Sequence, residues 1–231
     1  MELVKCNNLC KEFDNKKILK DVNLTIQKGR IIGLLGKNGM GKTTILKLIN
    51  DLLTPTSGEV LIKGEKPNVN SKKIISYLPE RTYLDTNMKV SQILTLFEDF
   101  YEDFDKNKAI SLLKDLDLDI NLKVNKMSKG MQEKLQLILV MSRNAELYIL
   151  DEPLGGVDPA TRDYILDTIL SNFKEGASVL ISTHLIADIE RILDDVIFID
   201  KGEIKLTSSA DELRKTENAS IDEIFRRSFK C

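Results

Sequence analysis

The sequence predicts an α/β fold: a mostly parallel sheet with an added antiparallel β layer and a helical subdomain. Four short, continuously apolar runs predict buried strands, and helical patterns lie between them. Continuous rather than alternating apolarity is typical of parallel strands covered on both faces. Strands that alternate with helices also indicate a parallel sheet. The predicted strands are residues 31–35, 74–78, 147–150 and 179–182.

Helical patterns follow the strands. Residues 43–53 are predicted as a helix that stops before Pro55, because the residue before a proline is disfavoured in helical conformation. Apolar residues at the i, i+3, i+4, i+7, i+8 spacing predict an amphipathic helix over residues 93–101, and residues 109–116 repeat the pattern. The aromatic residues at 97, 100, 101 and 104 are expected to pack this helical region.

The two ends of the chain follow a different pattern. Residues 1–30 and 56–66 have strand signals separated by turns, which predicts the antiparallel β layer. A β-hairpin is predicted around Lys201-Gly202. We therefore expect one domain over residues 1–231. Its parts are the β layer and sheet core (1–84 and 146–210), the helical subdomain (85–145) and a polar, short C-terminal tail or helix (211–231).

Composition and hydropathy exclude several classes of protein. The chain has 34 basic and 36 acidic residues and a formal charge of −2. It lacks the basic excess that favours nonspecific nucleic-acid binding, so no nucleic-acid partner is expected. The densest apolar run, residues 135–141, is far shorter than the roughly 20 residues of a membrane span. The first residues lack the apolar stretch of a signal peptide. We expect a cytoplasmic chain.

A phosphate-binding loop is the strongest motif. The full pattern G-x-x-x-x-G-K-T follows the strand at 31–35 and precedes a predicted helix. Its glycines let backbone N–H groups turn toward phosphate oxygens, and the helix N-terminus adds positive potential. Lys42 is expected to reach the β- and γ-phosphates, Thr43 to bind Mg²⁺ and Thr44 to touch the α-phosphate. The loop consists of Gly36, Lys37, Asn38, Gly39, Met40, Gly41, Lys42 and Thr43.

A second motif is an apolar strand that ends in two acidic residues, Asp151 and Glu152. Asp151 suits Mg²⁺, which favours carboxylate oxygen. Glu152 is placed to orient or deprotonate an attacking water. On its own, Asp-Glu-Pro after a strand indicates the start of a helix as often as it indicates a catalytic site. With a phosphate loop in the same chain, we favour the catalytic interpretation.

A third motif is His184, the single histidine, at the end of the strand predicted over residues 179–182. A lone histidine is usually structural. This one ends a buried strand, at the edge from which open parallel sheets present groups to ligands. A neutral imidazole there can hydrogen-bond a γ-phosphate.

These three motifs, in this order, resemble those of the ATP-binding subunits of ABC transporters, which have a P-loop NTPase (RecA-like) core. Ser128, Lys129, Gly130 and Met131 stand where that family has its Leu-Ser-Gly-Gly-Gln signature, before the acid-ended strand. Ser128 is also a good helix N-cap. The segment Gly-Gly-Val-Asp, which ends at Asp158, resembles the family's D-loop. Asp158 before Pro159 also fits a helix N-cap, and both interpretations can hold. The resemblance runs from residue 2 to about 210.

The sequence departs from the family pattern in two places. Lys129 replaces the first signature glycine and Met131 the glutamine, while Ser128 and Gly130 remain. Glu80 stands where the family usually has a glutamine. It either accepts a hydrogen bond from a metal-bound water or is a solvated residue at the end of a strand. Phe13 lies where the family stacks an aromatic ring on adenine. Its alternative role is that of an ordinary core phenylalanine.

The resemblance implies an ATPase that uses ATP and Mg²⁺ and pairs with another ABC ATPase, as a homodimer or a heterodimer. Its signature residues would act in trans, on the nucleotide of the partner. A separate membrane permease would hold the chain on the inner face of the cell membrane, and the style of the sequence resembles bacterial exporter-type members for drugs or antimicrobial peptides. The resemblance implies catalytic roles for Lys42, Glu152 and His184, and a metal site at Thr43, Asp151 and Glu80.

Other classes fit less well. A GTPase would need an Asn-Lys-x-Asp segment, and Asn15-Lys16-Lys17 is followed by isoleucine. The segment between phosphate loop and signature is too short for the coiled coil of a DNA-repair ATPase. A translation-type factor normally carries two cassettes, and here there is one. The alternative function that stays open is a single-cassette ABC ATPase that drives a soluble partner.

Overall fold

Two sheets with helices between and around them form the core of the chain in the computed structural model. The structure describes residues 1–229, without the side chains of residues 159 and 160. The smaller sheet is antiparallel and has the strand order β2-β1-β4. Its strands are β1 (Glu2–Phe13), β2 (Lys16–Gln27) and β4 (Ser57–Ile62). It is the antiparallel layer that the sequence predicts.

The larger sheet has six strands in the order β5-β6-β7-β3-β8-β9. All neighbouring pairs are parallel except β8 and β9, which form the predicted hairpin. Every residue of β6 and β7 is buried, as expected for strands covered on both faces. The strands are β3 (Ile31–Leu35), β5 (Ile75–Leu78), β6 (Leu147–Asp151), β7 (Ser178–Thr183), β8 (Asp195–Asp200) and β9 (Glu203–Ser209). The predicted α/β class is thus confirmed.

Helices cover both faces of the larger sheet. Helix α1 packs between the two sheets, while α5, α6 and α9 contribute to the core on the other face. In the described part of the chain, no helix combines the length and apolarity needed to cross a membrane. The helices are α1 (Lys42–Ile49), α2 (Val69–Ile74), α3 (Val90–Phe100), α4 (Lys106–Asp115), α5 (Lys129–Met141), α6 (Pro159–Asn172), α7 (Ile186–Ile189), α8 (Ala210–Glu217) and α9 (Ile221–Ser228).

Helices α3 and α4 and part of α5 share a separate hydrophobic core, so the predicted helical region has its own interior. The ring of Phe97 lies 5.5 Å from that of Tyr101 and 5.5 Å from that of Phe104. These three aromatic residues pack the region as expected. Phe100 does not, because its side chain is 75% exposed.

Helix α1 ends four residues earlier than predicted. Asp51 takes a left-handed conformation (φ 57°), and its N–H donates to the carbonyl of Leu48. The N–H of Leu52 donates to the carbonyl of Lys47. This pair of bonds is the Schellman closure of a helix end, which satisfies the last carbonyls without further helical residues. The prediction placed the end at residue 53 because it relied on the proline alone.

Of the two alternatives predicted for residues 211–231, a tail or a short helix, the described part is helical and forms two helices, α8 and α9. Ser220 and Glu223 make a reciprocal capping box at the start of α9. Ile221, Ile224 and Phe225 lie on one face of α9 and are buried in the main core. The sequence contains this i, i+3, i+4 pattern, but the polar residues around it dominate the local composition. Residues 230 and 231 lie outside the described residues.

Candidate nucleotide site

The phosphate loop leaves the end of β3 and enters α1. Gly39 and Gly41 have left-handed backbones, with φ of 78° and 104°, which favour glycine. A Cβ on Gly36 would lie 2.7 Å from the carbonyl oxygen of Ile199, so no side chain fits there. The glycines of the motif are therefore required by the shape of this turn as well as by any ligand.

Lys42 lies at the centre of the loop, and its side chain is only 5% exposed. Its ammonium donates to the carbonyl oxygens of Gly36 (2.6 Å) and Lys37 (3.2 Å). Glu152 Oε1 lies 3.0 Å from the same Nζ atom. A buried charge needs such compensation, since desolvation otherwise costs several kcal/mol. The loop and the acidic strand end are thus joined by one ion pair.

Glu152 bridges Lys42 and His184. Its second carboxylate oxygen, Oε2, lies 3.0 Å from His184 Nδ1. The backbone of Glu152 is left-handed (φ 50°), and its N–H donates to the carbonyl of Ser182 on the neighbouring strand. Because β3, β6 and β7 are parallel, their carboxyl ends bring Lys42, Glu152 and His184 to one edge of the sheet.

Asp151 ends β6 beside Thr43 and is buried. Its Oδ1 accepts hydrogen bonds from Ser182 Oγ (2.5 Å) and Thr43 Oγ1 (3.2 Å), while its buried Oδ2 has no hydrogen-bond partner. Burial raises the pKa of Asp151, and the hydrogen bonds from Ser182 and Thr43 oppose this rise. The negative charges of Glu80 and Glu152 raise it further.

An unpartnered carboxylate oxygen next to a hydroxyl group fits a divalent cation with oxygen ligands, such as Mg²⁺. Within residues 1–229, no group of three or more His, Cys, Asp or Glu side chains is arranged to hold a metal ion. The pair of Asp151 and Thr43 therefore suits a cation that takes its other ligands from phosphate and water, as Mg²⁺ usually does.

A cleft of about 670 Å³ opens over the phosphate loop. Phe13 lies at its edge with a 42% exposed ring, so the alternative role of a core phenylalanine is wrong. Lys11 Nζ lies 4.8 Å from the centre of that ring. Glu80 is exposed and also lines the cleft. Loop residues that line it are Asn38, Gly39, Gly41, Lys42, Thr43 and Thr44.

The signature segment begins α5 and is open to solvent. Ser128 is exposed, and its Oγ accepts a hydrogen bond from the backbone N–H of Met131, which makes it the N-cap of the helix. A Cβ on Gly130 would have no atom within 4 Å. The helix N-terminus is thus accessible to a second molecule.

Lys129 points into the cleft of its own chain, which the sequence did not indicate. Its ammonium lies 3.5 Å from Glu133 Oε1 and 3.4 Å from where a Cβ of Gly156 would be. Both Lys129 and Glu133 line the cleft. Asp158 caps α6, since its carboxylate accepts from the N–H (3.1 Å) and the hydroxyl (2.7 Å) of Thr161.

Sequence reasoning missed two polar residues behind the site. Ser182 holds Asp151 from the neighbouring strand, and a serine within an otherwise apolar strand could have indicated it. Tyr77 has a buried hydroxyl without a hydrogen-bond partner, in the segment that precedes Glu80. The pKa of Tyr77 is raised by burial and then by the charges of Asp151 and Glu80. Both residues lie on strands whose ends form the site.

Known proteins resemble the chain in sequence and in fold. The family model described as "ABC transporter" matches residues 19–155. The ABC transporter ATP-binding protein YtrB of Bacillus subtilis (strain 168) is 32% identical over 92% of this chain and 74% of its own length. A solved ATP-binding subunit of an ABC transporter superposes with a TM-score of 0.88 over 97% of this chain and 98% of that one, at 27% identity.

A third relative was solved as a dimer. The ATP-binding cassette MJ0796, in a post-hydrolysis state bound to ADP and Pi, superposes with a TM-score of 0.78 at 25% identity. The match covers 90% of this chain and 98% of that one. From the family match, the similarity to YtrB and the shared fold, we conclude that the chain belongs to the ABC transporter ATP-binding family.

Proposed function

We propose that the chain binds and hydrolyses ATP and thereby powers transport across a membrane, in the export direction, through a separate permease subunit. The observation that carries this proposal is the contact of Glu152 with both Lys42 and His184 at the mouth of one cleft. These are the three groups that phosphoryl transfer to water needs: a phosphate ligand, a group that positions water and a γ-phosphate contact. The chain would act as a peripheral protein on the inner face of the cell membrane.

Nucleotide binding would use the whole length of the cleft. The exposed ring of Phe13 offers a flat surface for adenine, and the loop offers its backbone N–H groups and Lys42 to the phosphates. An incoming γ-phosphate competes with Glu152 for the ammonium of Lys42, because both are anions and the ammonium is buried. ATP would therefore separate the ion pair of Lys42 and Glu152.

Hydrolysis would use the carboxylate that this separation releases. Glu152 accepts a proton from water while the water oxygen bonds to the γ-phosphorus, and the bond from that phosphorus to the bridging oxygen of ADP breaks. His184 holds the γ-phosphate by a hydrogen bond. Thr43 and Asp151, with Glu80 close by, would hold Mg²⁺. When bound, Mg²⁺ supplies positive charge against the β- and γ-phosphate oxygens.

A second ABC ATPase, identical or related, would complete the site. The exposed Ser128 and the uncrowded Gly130 lie at a helix N-terminus, which attracts anions. They would meet the γ-phosphate bound by the partner. Lys129 would add positive charge there once its ammonium leaves Glu133 of its own chain. The dimer of the cassette MJ0796 supports this arrangement by analogy.

A groove of about 490 Å³ on another face is our candidate for the permease contact. Tyr83 and Leu52 line it and are largely exposed, and Tyr77 connects it to the segment that leads to Glu80. Lys47 and Arg81 line it as exposed cations, and neither belongs to an ion pair among the described side chains. A permease segment with apolar and acidic residues would fit this lining.

The substitution Glu152→Gln tests the catalytic assignment. Because the amide cannot accept the proton, we expect ATP hydrolysis to fall by about 10²–10⁴-fold. ATP still binds, and the loss of the Glu152 charge leaves Lys42 available to phosphate. With ATP and Mg²⁺, size-exclusion chromatography should therefore show a stable dimer of the variant.

Glu146→Gln is the matched control. Glu146 immediately precedes β6 and pairs with Lys63 at 2.6 Å, whereas Glu152 immediately follows the strand. The control should hydrolyse ATP at the wild-type rate. An E152Q variant that stays monomeric with ATP and retains full turnover would contradict the role of Glu152. A wild-type protein that binds no adenine nucleotide would refute the proposed function.

Asp151→Asn should separate stability from metal binding. Burial raises the pKa of Asp151, so ionisation of this carboxyl group lowers the free energy of unfolding. The loss of stability begins as the pH rises through the ordinary carboxyl pKa, and it is complete above the raised pKa of the folded state. The variant without nucleotide should melt higher than the wild type at pH 7, by about 2–4 °C if about 1 kcal/mol is recovered. This difference should shrink in acid.

The same Asp151→Asn variant should lose the stabilisation that Mg·ATP gives the wild type, because it lacks the carboxylate. Asp200→Asn, at the end of β8 on the same sheet edge, is the control. It should leave the melting temperature at the wild-type value both without nucleotide and with Mg·ATP. Thermal unfolding at several pH values, with and without Mg·ATP, measures both effects. An undiminished response of D151N to Mg·ATP would rule out Asp151 as the metal ligand.

Ser128→Asp tests the role of the signature in trans. Aspartate caps a helix as well as serine does, but its charge would repel a γ-phosphate. We expect ATP binding to persist and hydrolysis to be lost, while Ser128→Asn, which keeps the cap without the charge, retains activity. The measurement is the ATPase rate of each variant.

Mixing S128D with Lys42→Ala then distinguishes trans from cis action. In a head-to-tail homodimer, a mixed pair has one site with both an intact loop and an intact Ser128. The mixture should hydrolyse ATP although each variant alone does not. If E152Q forms a homodimer and the mixture stays inactive, the trans assignment of Ser128 is wrong.

Arg81→Glu, alone or with Lys47→Glu, tests the groove. Charge reversal should repel an acidic permease segment, so the tagged variant should no longer co-purify a multi-span membrane protein from detergent-solubilised cells. Lys174→Glu reverses another exposed lysine, after α6, and should leave co-purification intact. Nucleotide affinity should be unchanged in all three. Co-purification of a soluble protein instead would favour the alternative, an ABC ATPase with a soluble partner.

A further inference from the structure

The C-terminal helix α9 reaches the nucleotide site from outside the cleft. A cavity of about 240 Å³ separates the helix from the phosphate loop. Phe225 and Arg226 line the cavity on the side of the helix. Asn38 of the loop and His184 line it on the other side. The helix is thus a neighbour of two groups that the proposed ATPase uses.

Aromatic packing anchors α9 to the sheet. Phe225 is 5% exposed, and its ring lies edge-on to that of Phe198, with centroids 5.2 Å apart. The ring of Phe229 lies 4.6 Å from Phe225 and extends the cluster. Phe198 pairs in register with Leu35, the last residue of β3 before the phosphate loop. The position of α9 is therefore fixed relative to the base of the loop.

Polar contacts join α9 to the segment that follows His184. The N–H of Asp222 donates to Glu190 Oε2 at 3.1 Å, just after α7. Arg214 of α8 donates to the carbonyl of Glu190. Ile186, two residues after His184, is buried in the same cluster as Phe225 and lines the same cavity. The chain on the carboxyl side of His184 is thus held by Asp222 and Phe225 of α9, and the contact that α8 adds here comes from the side chain of Arg214.

We propose that Phe225 is a positioning residue for ATP hydrolysis, which acts by fixing the turn that presents His184. The proposal rests on the proposed ATPase function and deepens it. On the amino side, β7 holds His184 within the sheet. On the carboxyl side, α7 and its contacts with α9 hold the backbone of the turn. A displaced imidazole would lose the γ-phosphate while the loop still binds nucleotide. The expected signature is a fall in kcat without a change in nucleotide Kd.

Phe225→Ala is the variant that tests this. We expect kcat to fall by about ten- to a hundredfold, as for a small displacement of a group at the reaction centre, with an unchanged Kd for ATP. Phe225→Leu retains most of the buried volume and should fall between wild type and alanine. Leu213→Ala, a truncation at a buried position of α8 outside the cavity, is the matched control and should keep the wild-type kcat.

A second measurement observes His184 directly. It is the only histidine of the chain, so a protein without a histidine tag gives one set of imidazole NMR signals. These signals should broaden and lose nuclear Overhauser contacts with neighbouring protons in F225A and, less strongly, in F225L, while L213A leaves them unchanged. A change in chemical shift alone does not count, because it follows from the loss of the Phe225 ring. A loss of stability alone would affect F225A and L213A alike and would leave the signals of the folded protein in place.

The outcomes separate the two proposals. If folded F225A has the wild-type kcat and the wild-type imidazole line widths and nuclear Overhauser contacts, or if L213A changes these as F225A does, the role of Phe225 is refuted and the ATPase function stands. If F225A does not fold, F225L decides in the same way. If the wild-type protein neither binds nor hydrolyses ATP, the proposed function itself fails, independently of any effect at Phe225.

Discussion

The buried ammonium of Lys42 is the constraint on which the geometry of the site depends. Two loop carbonyls and one carboxylate of Glu152 surround it, and almost none of it reaches solvent. Removing one partner of such a buried pair typically costs about 3–5 kcal/mol, because the other charge stays desolvated. The ion pair therefore joins the loop after β3 to the end of β6. It can separate only if another anion takes the place of Glu152 beside Lys42.

A triphosphate is such a replacement, and this links binding to catalysis. The phosphate that takes the ammonium of Lys42 leaves Glu152 without its cation but in contact with His184. Under the proposed function, the same event that delivers the reacting phosphate releases the carboxylate that acts on water. The left-handed backbone of Glu152 costs free energy of order 1–3 kcal/mol and persists because neighbouring strands fix it. The neighbouring strands thus keep the carboxylate of Glu152 in one position at the edge of the sheet.

Much of this arrangement could be predicted from the sequence, for a physical reason. Continuous apolar strands followed by polar residues place those residues at one edge of a parallel sheet, whatever the details of the packing. The loop at Gly36, the acids at Asp151 and Glu152, and the histidine at 184 all belong to this kind of signal. Their roles in hydrolysis stay predictions, since only their geometry is established.

What could not be predicted depends on contacts between distant segments. The end of α1 is set by the left-handed backbone of Asp51. A glycine is the usual sequence signal for such a helix end, and none stands at this position. The inward direction of Lys129 depends on where Glu133 and Gly156 lie in the folded chain. The unpartnered Oδ2 of Asp151 becomes visible only when both neighbouring strands are in place. Sequence periodicity predicts which face of a helix is buried and which residues lie at the edge of a sheet. These three features depend instead on contacts that form only in the folded chain.

The C-terminal segment shows why polar composition is a poor guide to a role. Most of its described charged residues are exposed, and three apolar side chains, those of Ile221, Ile224 and Phe225, are enough to join the main core. Because Phe198 already belongs to the core of the sheet, the ring of Phe225 packs against an existing core rather than creating a new one. A helix attached in this way sits beside the turn of His184, so packing that stabilises the fold also restricts a group of the site. Stability and positioning are here consequences of the same contact.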